Sequence, residues 1–115
     1  MFFSVTSSGA KLLRERGAYI RYGTVAARFE RADDFRYSVV VSKKQGNAVA
    51  RNRVKRRIRA MLGSLPHPRP DGHFLIYYRG DCSAFNHDRV ANDLEHILSE
   101  SEKHAAHDDT ARRIR

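Results

Sequence analysis

The fold is decided by the stretch 37-YSVVVSKKQGNAVARNRVKRRIRAML-62, in which a strand, a turn and a helix follow one another. Its apolar run Val39–Val41 is typical of a strand covered on both faces, so we predict a central strand over 35–42. Asn47 is a good N-cap after the turn, and apolar residues recur behind it at helical spacing, which predicts a helix over 48–62. These features predict a sheet with a helix packed against it.

The rest of the chain supplies further elements around this stretch. The pattern predicts, in chain order, a helix over 10–16, a strand over 18–30 interrupted at Gly23, a hairpin turn at 31–34, a strand over 73–78 and a helix that begins after Asn86. Because a strand, a helix and a strand in sequence normally form a crossover unit, strand 73–78 should lie in the same sheet as 35–42. All three prolines fall in 64–72, which predicts an exposed loop. Residues 101–115 are polar and are expected to form a frayed or flexible tail.

The charge of the chain is concentrated in one block. The 115 residues carry a formal net charge of +9. Residues 35–70 contain ten basic residues and no acidic one, whereas 1–34 carry +2 and 71–115 carry −3. Surfaces that only face solvent usually mix both signs, so an unrelieved cationic block predicts an anionic partner, either nucleic acid or an acidic membrane.

The length and the cysteine content exclude several classes of protein. A chain of 115 residues is expected to form one small domain, which is too short for an enzyme with a separate cofactor domain. Cys82 is the only cysteine, and the N-terminus lacks the pattern of a secretory signal. No window holds the roughly 20 apolar residues of a membrane span. These features predict a cytoplasmic protein.

No catalytic or metal-binding residue is predicted in this chain. A protein nuclease needs clustered carboxylates for metal ions or a histidine pair for acid–base chemistry, and the basic block has no carboxylate. His104 and His107 have the spacing of a metal-binding pair, but they lie in a polar tail without a supporting cysteine. Cys82 has no neighbouring histidine and is interpreted as a packing thiol.

The helix over 48–62 has one apolar and one cationic face. On a helical wheel the apolar residues lie within an arc of about 120°, the width of a core-facing stripe; they are Ala50, Val54, Ile58, Met61 and Leu62. The remaining face has Asn52 as its single amide and is otherwise basic, with Arg51, Arg53, Lys55, Arg56, Arg57 and Arg59. Guanidinium groups bind phosphate oxygens in a bidentate manner. The turn before the helix adds Lys43 and Lys44 beside a helix N-terminus, so the whole surface is predicted to bind nucleic-acid phosphates.

The segment Ser42–Arg59, SKKQGNAVARNRVKRRIR, closely resembles the signature of the bacterial ribonuclease P protein component, including its Arg-Asn-Arg core at 51–53. The resemblance implies a single α+β domain over 1–100, followed by the tail 101–115. It implies a sheet of about four strands and three helices in the order α-β-β-β-α-β-α. This arrangement belongs to the fold class that is named after the second domain of the small-subunit ribosomal protein S5. It also implies a left-handed β-α-β crossover, which opposes the general rule and therefore comes from the resemblance alone.

The resemblance also implies a function. Members of this family are the protein subunit of a ribonucleoprotein that removes the 5′ leader of precursor tRNA, in which the RNA subunit is the catalyst and holds most of the Mg²⁺ ions, with no dedicated Mg²⁺ site on the protein. The implied partners are ribonuclease P RNA and precursor tRNA, with no membrane and no obligate protein partner. The RNA-binding residues that match the signature are Lys43, Lys44, Arg51, Asn52, Arg53, Lys55, Arg56 and Arg59.

The chain departs from the family where the leader is bound. Members usually carry one or two phenylalanines in the first helix, at positions that Ala10 and Arg14 fill here. Tyr19, Tyr22 and Phe29 are predicted to supply compensating rings in a cleft between the first helix and the sheet, where the bases of a single strand would stack. The alternative is that these rings pack in the core or on an edge strand, and for Phe29 we favour that alternative.

A general nucleic-acid-binding module is the main alternative function. A ribosomal or DNA-binding protein would use the same basic helix in a groove, and it should bind random DNA and structured RNA comparably at matched salt. A helix lying on a membrane surface fits less well, because 48–62 has no bulky aromatic residue on its apolar face and needs that face for the core.

Overall fold

The structure is a computed structural model, and it describes residues 4–65 and 69–114, with side chains through Lys103. Three helices and four strands follow one another in the predicted order, with a short 3-10 turn before the second helix and another before the third. They are α1 (Ser7–Arg16), β1 (Ala18–Tyr22), β2 (Val25–Glu30), β3 (Phe35–Val40), η1 (Lys43–Gln45), α2 (Ala48–Gly63), β4 (Gly72–Tyr78), η2 (Cys82–Ala84) and α3 (His87–Ile114). The expected α+β class is confirmed. Part of the predicted proline loop, 66–68, lies outside the described residues.

α2 and α3 begin where the capping residues predict, whereas α1 begins at Ser7, three residues before its predicted start. The side-chain oxygens of Thr6, Asn47 and Asn86 each accept a backbone N–H three residues further on, at 3.1, 2.8 and 3.0 Å. Each cap satisfies one of the N–H groups that has no partner within its helix. The start of α2, and with it the placement of every basic residue on that helix, is therefore fixed by local chemistry.

The four strands form one mixed sheet in the order β1-β2-β4-β3. β2 pairs with β1 and with β4 in antiparallel fashion, while β3 and β4 are parallel. The predicted crossover from β3 through α2 to β4 is confirmed, and its left-handedness stays a prediction. The predicted hairpin turn at 31–34 is wrong, because β4 lies between β2 and β3 and the four residues pass over the end of that strand.

The prediction of a central strand over 35–42 is also wrong, since β3 is at the edge of the sheet. The three valines of its apolar run lie in three different environments. Val39 faces the main core and Val41 is buried just beyond the end of the strand. Val40 points to the other face, and the free edge of β3 is met by the N-terminal segment, where the Val5 N–H donates to the Tyr37 carbonyl at 3.4 Å.

The sheet separates two apolar layers. Alternate residues of β2 and β4 point to opposite faces. On one face Val25, Ala27 and Ile76 belong to the main core, which also takes in apolar residues of α2 and α3. The other face carries Ala26 and Leu75, 0% and 1% exposed, and α1 packs there with its one buried residue, Leu13.

The β1–β2 hairpin is tied to α3 at its turn. Gly23 has a φ of 59°, a left-handed conformation that favours glycine. The next residue, Thr24, donates both its N–H and its hydroxyl to Oδ2 of Asp93, at 2.9 and 2.8 Å. Asp93 is 3% exposed, so this buried carboxylate is compensated by the turn that it holds.

α3 is longer than the pattern predicts. It continues past residue 101, where we predicted the start of a polar tail, and ends at Ile114. The predicted domain division at 100/101 stays a prediction. Among the described residues no helix combines the length and the apolar character that would let it span a membrane.

Candidate nucleic-acid interface

α2 turns its apolar stripe inward, as predicted. Val54, Ile58, Met61 and Leu62 are buried in the main core, and Ala50 packs partly buried against it. Because one face of the helix is fixed in this way, the opposite face must point to solvent along its whole length.

The outward face of α2 is cationic. Asn52, Arg53, Arg56, Arg57 and Arg59 are exposed, while Arg51 and Lys55 are half-buried. In the part of the chain that the structure describes, none of the six α2 cations pairs with a carboxylate. The unbalanced charge predicted from the sequence is therefore a feature of the folded surface. A shallow, open depression on this face is lined by Val49, Asn52, Lys55, Arg56 and Arg59.

Two basic residues of the block 35–70 bind other groups of the protein itself. Arg36 donates to Asp34 at 2.7 Å. Arg69 donates to the carbonyls of Leu62 and Leu65, at 2.5 and 3.1 Å, and so caps the C-terminal end of α2. The candidate interface is thus narrower than the sequence block 35–70. We define the basic surface as Lys43 and Lys44 together with the six cations of α2.

The two lysines stand on η1, directly before α2, and both are exposed. The turn that carries them is ordered by Gln45, whose side-chain oxygen accepts the Ser42 N–H at 2.9 Å. Behind it, Nε of Arg51 donates to the Gly46 carbonyl at 3.1 Å. The structure therefore brings the loop lysines and the helix cations together, as predicted.

The three predicted leader-binding aromatics are not brought together. Tyr19 lies on the α1 side of the sheet, 44% exposed, with the Arg28 guanidinium 5.1 Å from its ring centre. Tyr22 points to the other face, because the strand side chains alternate, and stacks on His96 of α3 with ring centres 3.7 Å apart. Phe29 is 7% exposed and lies in the main core, so the packing alternative replaces its predicted role in leader binding.

Three features of the site were not predicted. Val49 is 67% exposed inside the cationic depression, and the helical wheel already places it on the solvent side. Tyr77 of β4 lies on the same sheet face as Tyr19, with the Arg79 guanidinium 4.6 Å from its ring centre; strand alternation was the available signal. Arg57 lies over the Phe85 ring at 5.5 Å, a contact between distant segments that no local pattern indicates.

Among the described residues, no three His, Cys, Asp or Glu side chains lie together as a metal site would require. Burial raises the pKa of the Cys82 thiol, so this group is protonated at neutral pH and packs as predicted. Side-chain and backbone hydrogen bonds from Ser83 lower the pKa of Asp81, which keeps this exposed carboxylate charged.

Comparisons with known proteins agree with the signature. A model of the ribonuclease P family matches residues 4–102. The ribonuclease P protein component of Streptococcus pyogenes serotype M5 is 36% identical over 66 residues, which are 57% of this chain and 56% of that protein. The chain thus matches little more than half the length of this curated relative.

Solved structures share the fold. The RNase P protein of Staphylococcus aureus superposes with a TM-score of 0.75 at 23% identity, covering 88% of this chain and 95% of that one. The RNase P protein of Thermotoga maritima superposes with a TM-score of 0.66 at 21% identity, covering 79% of this chain and 89% of that one. At these identities the two structures establish the fold alone.

Proposed function

The chain belongs to the ribonuclease P protein family, and from this premise we propose that it is the protein subunit of a cytoplasmic ribonuclease P ribonucleoprotein. In this role it binds the catalytic RNA and the 5′ leader of precursor tRNA, and it assists the endonucleolytic removal of the leader. The observation that carries the proposal is the outward face of α2, where exposed cations lie on the family signature and none pairs with a carboxylate of the described residues.

The basic surface acts by compensating phosphate charge. A folded RNA and its substrate bring many phosphates close together at a cleavage site, and their mutual repulsion opposes assembly. Guanidinium groups in the middle of α2, such as Arg53 and Arg56, bind phosphate oxygens in a bidentate way and stay charged at any physiological pH. Protein binding therefore lowers the repulsion that added cations would otherwise have to screen.

Mg²⁺ would be held by the RNA subunit rather than by this chain. The described residues offer no cluster of oxygen ligands for such an ion, and the basic surface would repel it. When bound to the RNA, Mg²⁺ supplies the activated water and the stabilisation of charge for phosphodiester hydrolysis. This chain contributes by binding and orientation.

The leader is proposed to bind on the α1 side of the sheet. Two tyrosine–arginine pairs lie there, Tyr19 with Arg28 and Tyr77 with Arg79, at 5.1 and 4.6 Å. The two tyrosines lie on β1 and β4, which are separated by β2 alone. Each pair offers a ring on which a base can stack and a cation for the adjacent phosphate, the combination that single-stranded nucleic acid binds without strong sequence preference. These pairs take the place of the first-helix phenylalanines that this chain lacks.

Reconstitution with the ribonuclease P RNA of the same organism tests the proposal. Cleavage of a precursor tRNA is measured across a Mg²⁺ titration, with no protein, with wild type, and with the Arg53→Ala/Arg56→Ala variant. We expect wild type to shift the Mg²⁺ requirement to lower concentration and the variant to lose most of that shift. Lys103→Ala, which removes an exposed cation from α3, should behave as wild type. Equal cleavage by the RNA alone at low Mg²⁺ would contradict the proposed role.

A competition experiment separates this function from that of a general binding module. The complex with ribonuclease P RNA should persist in an excess of random duplex DNA at matched salt, because the folded RNA presents phosphates in an arrangement that the duplex lacks. Displacement by equal amounts of DNA would favour the general module.

A further inference from the structure

Arg51 differs from the other cations of α2. Like Lys55 it is half-buried, but it alone among the six α2 cations forms a side-chain hydrogen bond within the described residues, from its Nε to the Gly46 carbonyl at 3.1 Å. Gly46 lies just before the N-cap of α2 and directly after η1, which carries Lys43 and Lys44. A side chain one turn inside the helix therefore reaches back and holds the loop that leads into it.

The same loop is held from a second side. A Cβ added to Gly46 would lie 2.9 Å from Cβ and 3.2 Å from Sγ of Cys82, so the turn packs directly against η2. Cys82 is itself buried, and η2 is joined to the end of β4, in the middle of the sheet. The loop is thus clamped between Arg51 and an element anchored in the core.

We propose that Arg51 is a positioning residue, which contributes to RNA binding through Lys43 and Lys44 by fixing the Gly46 turn. The inference rests on the proposed function of the basic surface and assigns a mechanism to one part of it. A lysine on a mobile loop gives up conformational freedom when it binds a phosphate, whereas a loop already held in place loses less. Without the Nε hydrogen bond, the two lysines contribute little to the complex.

Two substitutions at position 51 separate the hydrogen bond from the charge. Arg51→Gln places an amide N–H₂ donor at the position of Nε and removes the charge. Arg51→Met removes the charge and also places a methyl group there. If Arg51 were only a cation, the two variants would bind RNA alike. If it positions the loop, glutamine keeps the contribution of the two lysines and methionine loses it.

The number of phosphates contacted is measured from the salt dependence of binding to ribonuclease P RNA. Each contact contributes about 0.7 to 0.9 to the slope of log affinity against log salt. We expect the slope for Arg51→Met to be shallower than that for Arg51→Gln by about 1.4 to 1.8, the contribution of two lysine–phosphate contacts. Adding Lys43→Ala/Lys44→Ala should lower the slope by that amount in the glutamine background and leave it unchanged in the methionine background. At the exposed Arg56, Gln and Met should be equivalent.

A second variant keeps the proposal falsifiable if Arg51→Met fails to fold. Gly46→Ala retains every cation and pushes the turn away from Cys82, so it should reproduce the loss of the lysine contribution. Gly63→Ala is its control, because a Cβ at that position meets no atom within 4 Å. Equal slopes for Arg51→Gln and Arg51→Met overturn the proposal. If Arg51→Met does not fold, equal slopes for Gly46→Ala and Gly63→Ala overturn it.

The two levels of proposal fail in different ways. A wild-type chain that does not prefer ribonuclease P RNA over random duplex DNA contradicts the proposed function. If the wild-type chain shows this preference, the proposed function stands. Additive effects of the Arg51 and the Lys43/Lys44 substitutions would then contradict the positioning role alone.

Discussion

Substitution of Val49 separates the apolar from the electrostatic contribution to the proposed RNA binding. It is 67% exposed among the cations of the depression on α2, where an RNA phosphate bound by Arg56 would bring a ribose or base against it. We expect Val49→Ala to weaken binding by about 1 kcal/mol, or about fivefold, because less apolar surface is buried. The slope of affinity against salt should not change, since no charge is lost.

Arg56→Ala is the matched comparison for this prediction. It should reduce the slope by about 0.7 to 0.9, the contribution of one phosphate contact. Both variants are measured by titration of the RNA at several salt concentrations. An unaltered affinity for Val49→Ala at low salt would show that the RNA does not touch this side chain.

Asp34 makes the stability of the fold depend on pH in the acidic range. Hydrogen bonds from Arg36 and His73, at 2.7 and 2.8 Å, lower the pKa of Asp34 below its ordinary value of 3.8. A carboxyl whose pKa is lower in the folded state stabilises the fold above its unfolded pKa, and this stability is lost as the pH falls through the folded pKa. Asp34→Asn should therefore be less stable than wild type at pH 6, and the difference should disappear on acidification below pH 3.8.

Thermal unfolding of both proteins across this pH range checks the prediction. Asp33→Asn is the control, because this exposed neighbour forms no ion pair within the described part of the chain. A difference between wild type and Asp34→Asn that grows towards low pH would have the wrong sign.

At the scale of elements, a feature could be predicted from the sequence when the residues that determine it lie close together in the chain. α2 was predicted almost to the residue, because its cap at Asn47 and its stripe of apolar residues are local features. The edge position of β3 could not be predicted, because it depends on the pairing of β4 with both β2 and β3. The basic face of α2 could be predicted because it depends on local helical spacing. The packing of Gly46 against Cys82 could not, because it joins segments that are far apart in the chain.

The contact between α3 and the β1–β2 hairpin is the best test of such a long-range link. Asp93 accepts two hydrogen bonds from Thr24 at 2.9 and 2.8 Å, and its removal leaves the part-buried Thr24 N–H without this partner. We expect Asp93→Ala to lower the free energy of unfolding by about 1–3 kcal/mol. Gly23→Ala should also be destabilising, because the left-handed turn disfavours a side chain and the added Cβ would collide with the Asp93 carboxylate.

Urea unfolding measures both changes. Asn92→Ala is the control, since Asn92 is exposed on the same helix next to Asp93 and should shift stability by less than about 0.5 kcal/mol. A change for Asp93→Ala as small as that of Asn92→Ala would mean that the hairpin does not depend on α3.

At the scale of the whole molecule, charge follows the architecture. α2 packs against β3, whereas α3 packs mainly against β1 and β2, so the two helices occupy different halves of the sheet. The block that contains α2 has ten basic residues and no acidic one, and the segment 71–115 that contains α3 carries −3. The charge is therefore unevenly distributed, and we expect the α2 half to face the RNA and the α3 half to point away from it.

This polarity predicts that position, and not net charge, determines RNA binding. Arg53→Ala/Arg56→Ala lowers the net charge of +9 by two and should reduce the slope of affinity against salt by about 1.4 to 1.8. Adding Glu95→Gln/Glu100→Gln on α3 restores the original net charge. Because interactions between charges are screened over about 8 Å at physiological salt, changes on α3, which does not carry the proposed phosphate contacts, should not restore the slope. Glu95→Gln/Glu100→Gln alone should bind as wild type, which makes it the control. Recovery of the slope in the fourfold variant would mean that the chain binds RNA through its overall field, and the basic surface would then have no special place in recognition.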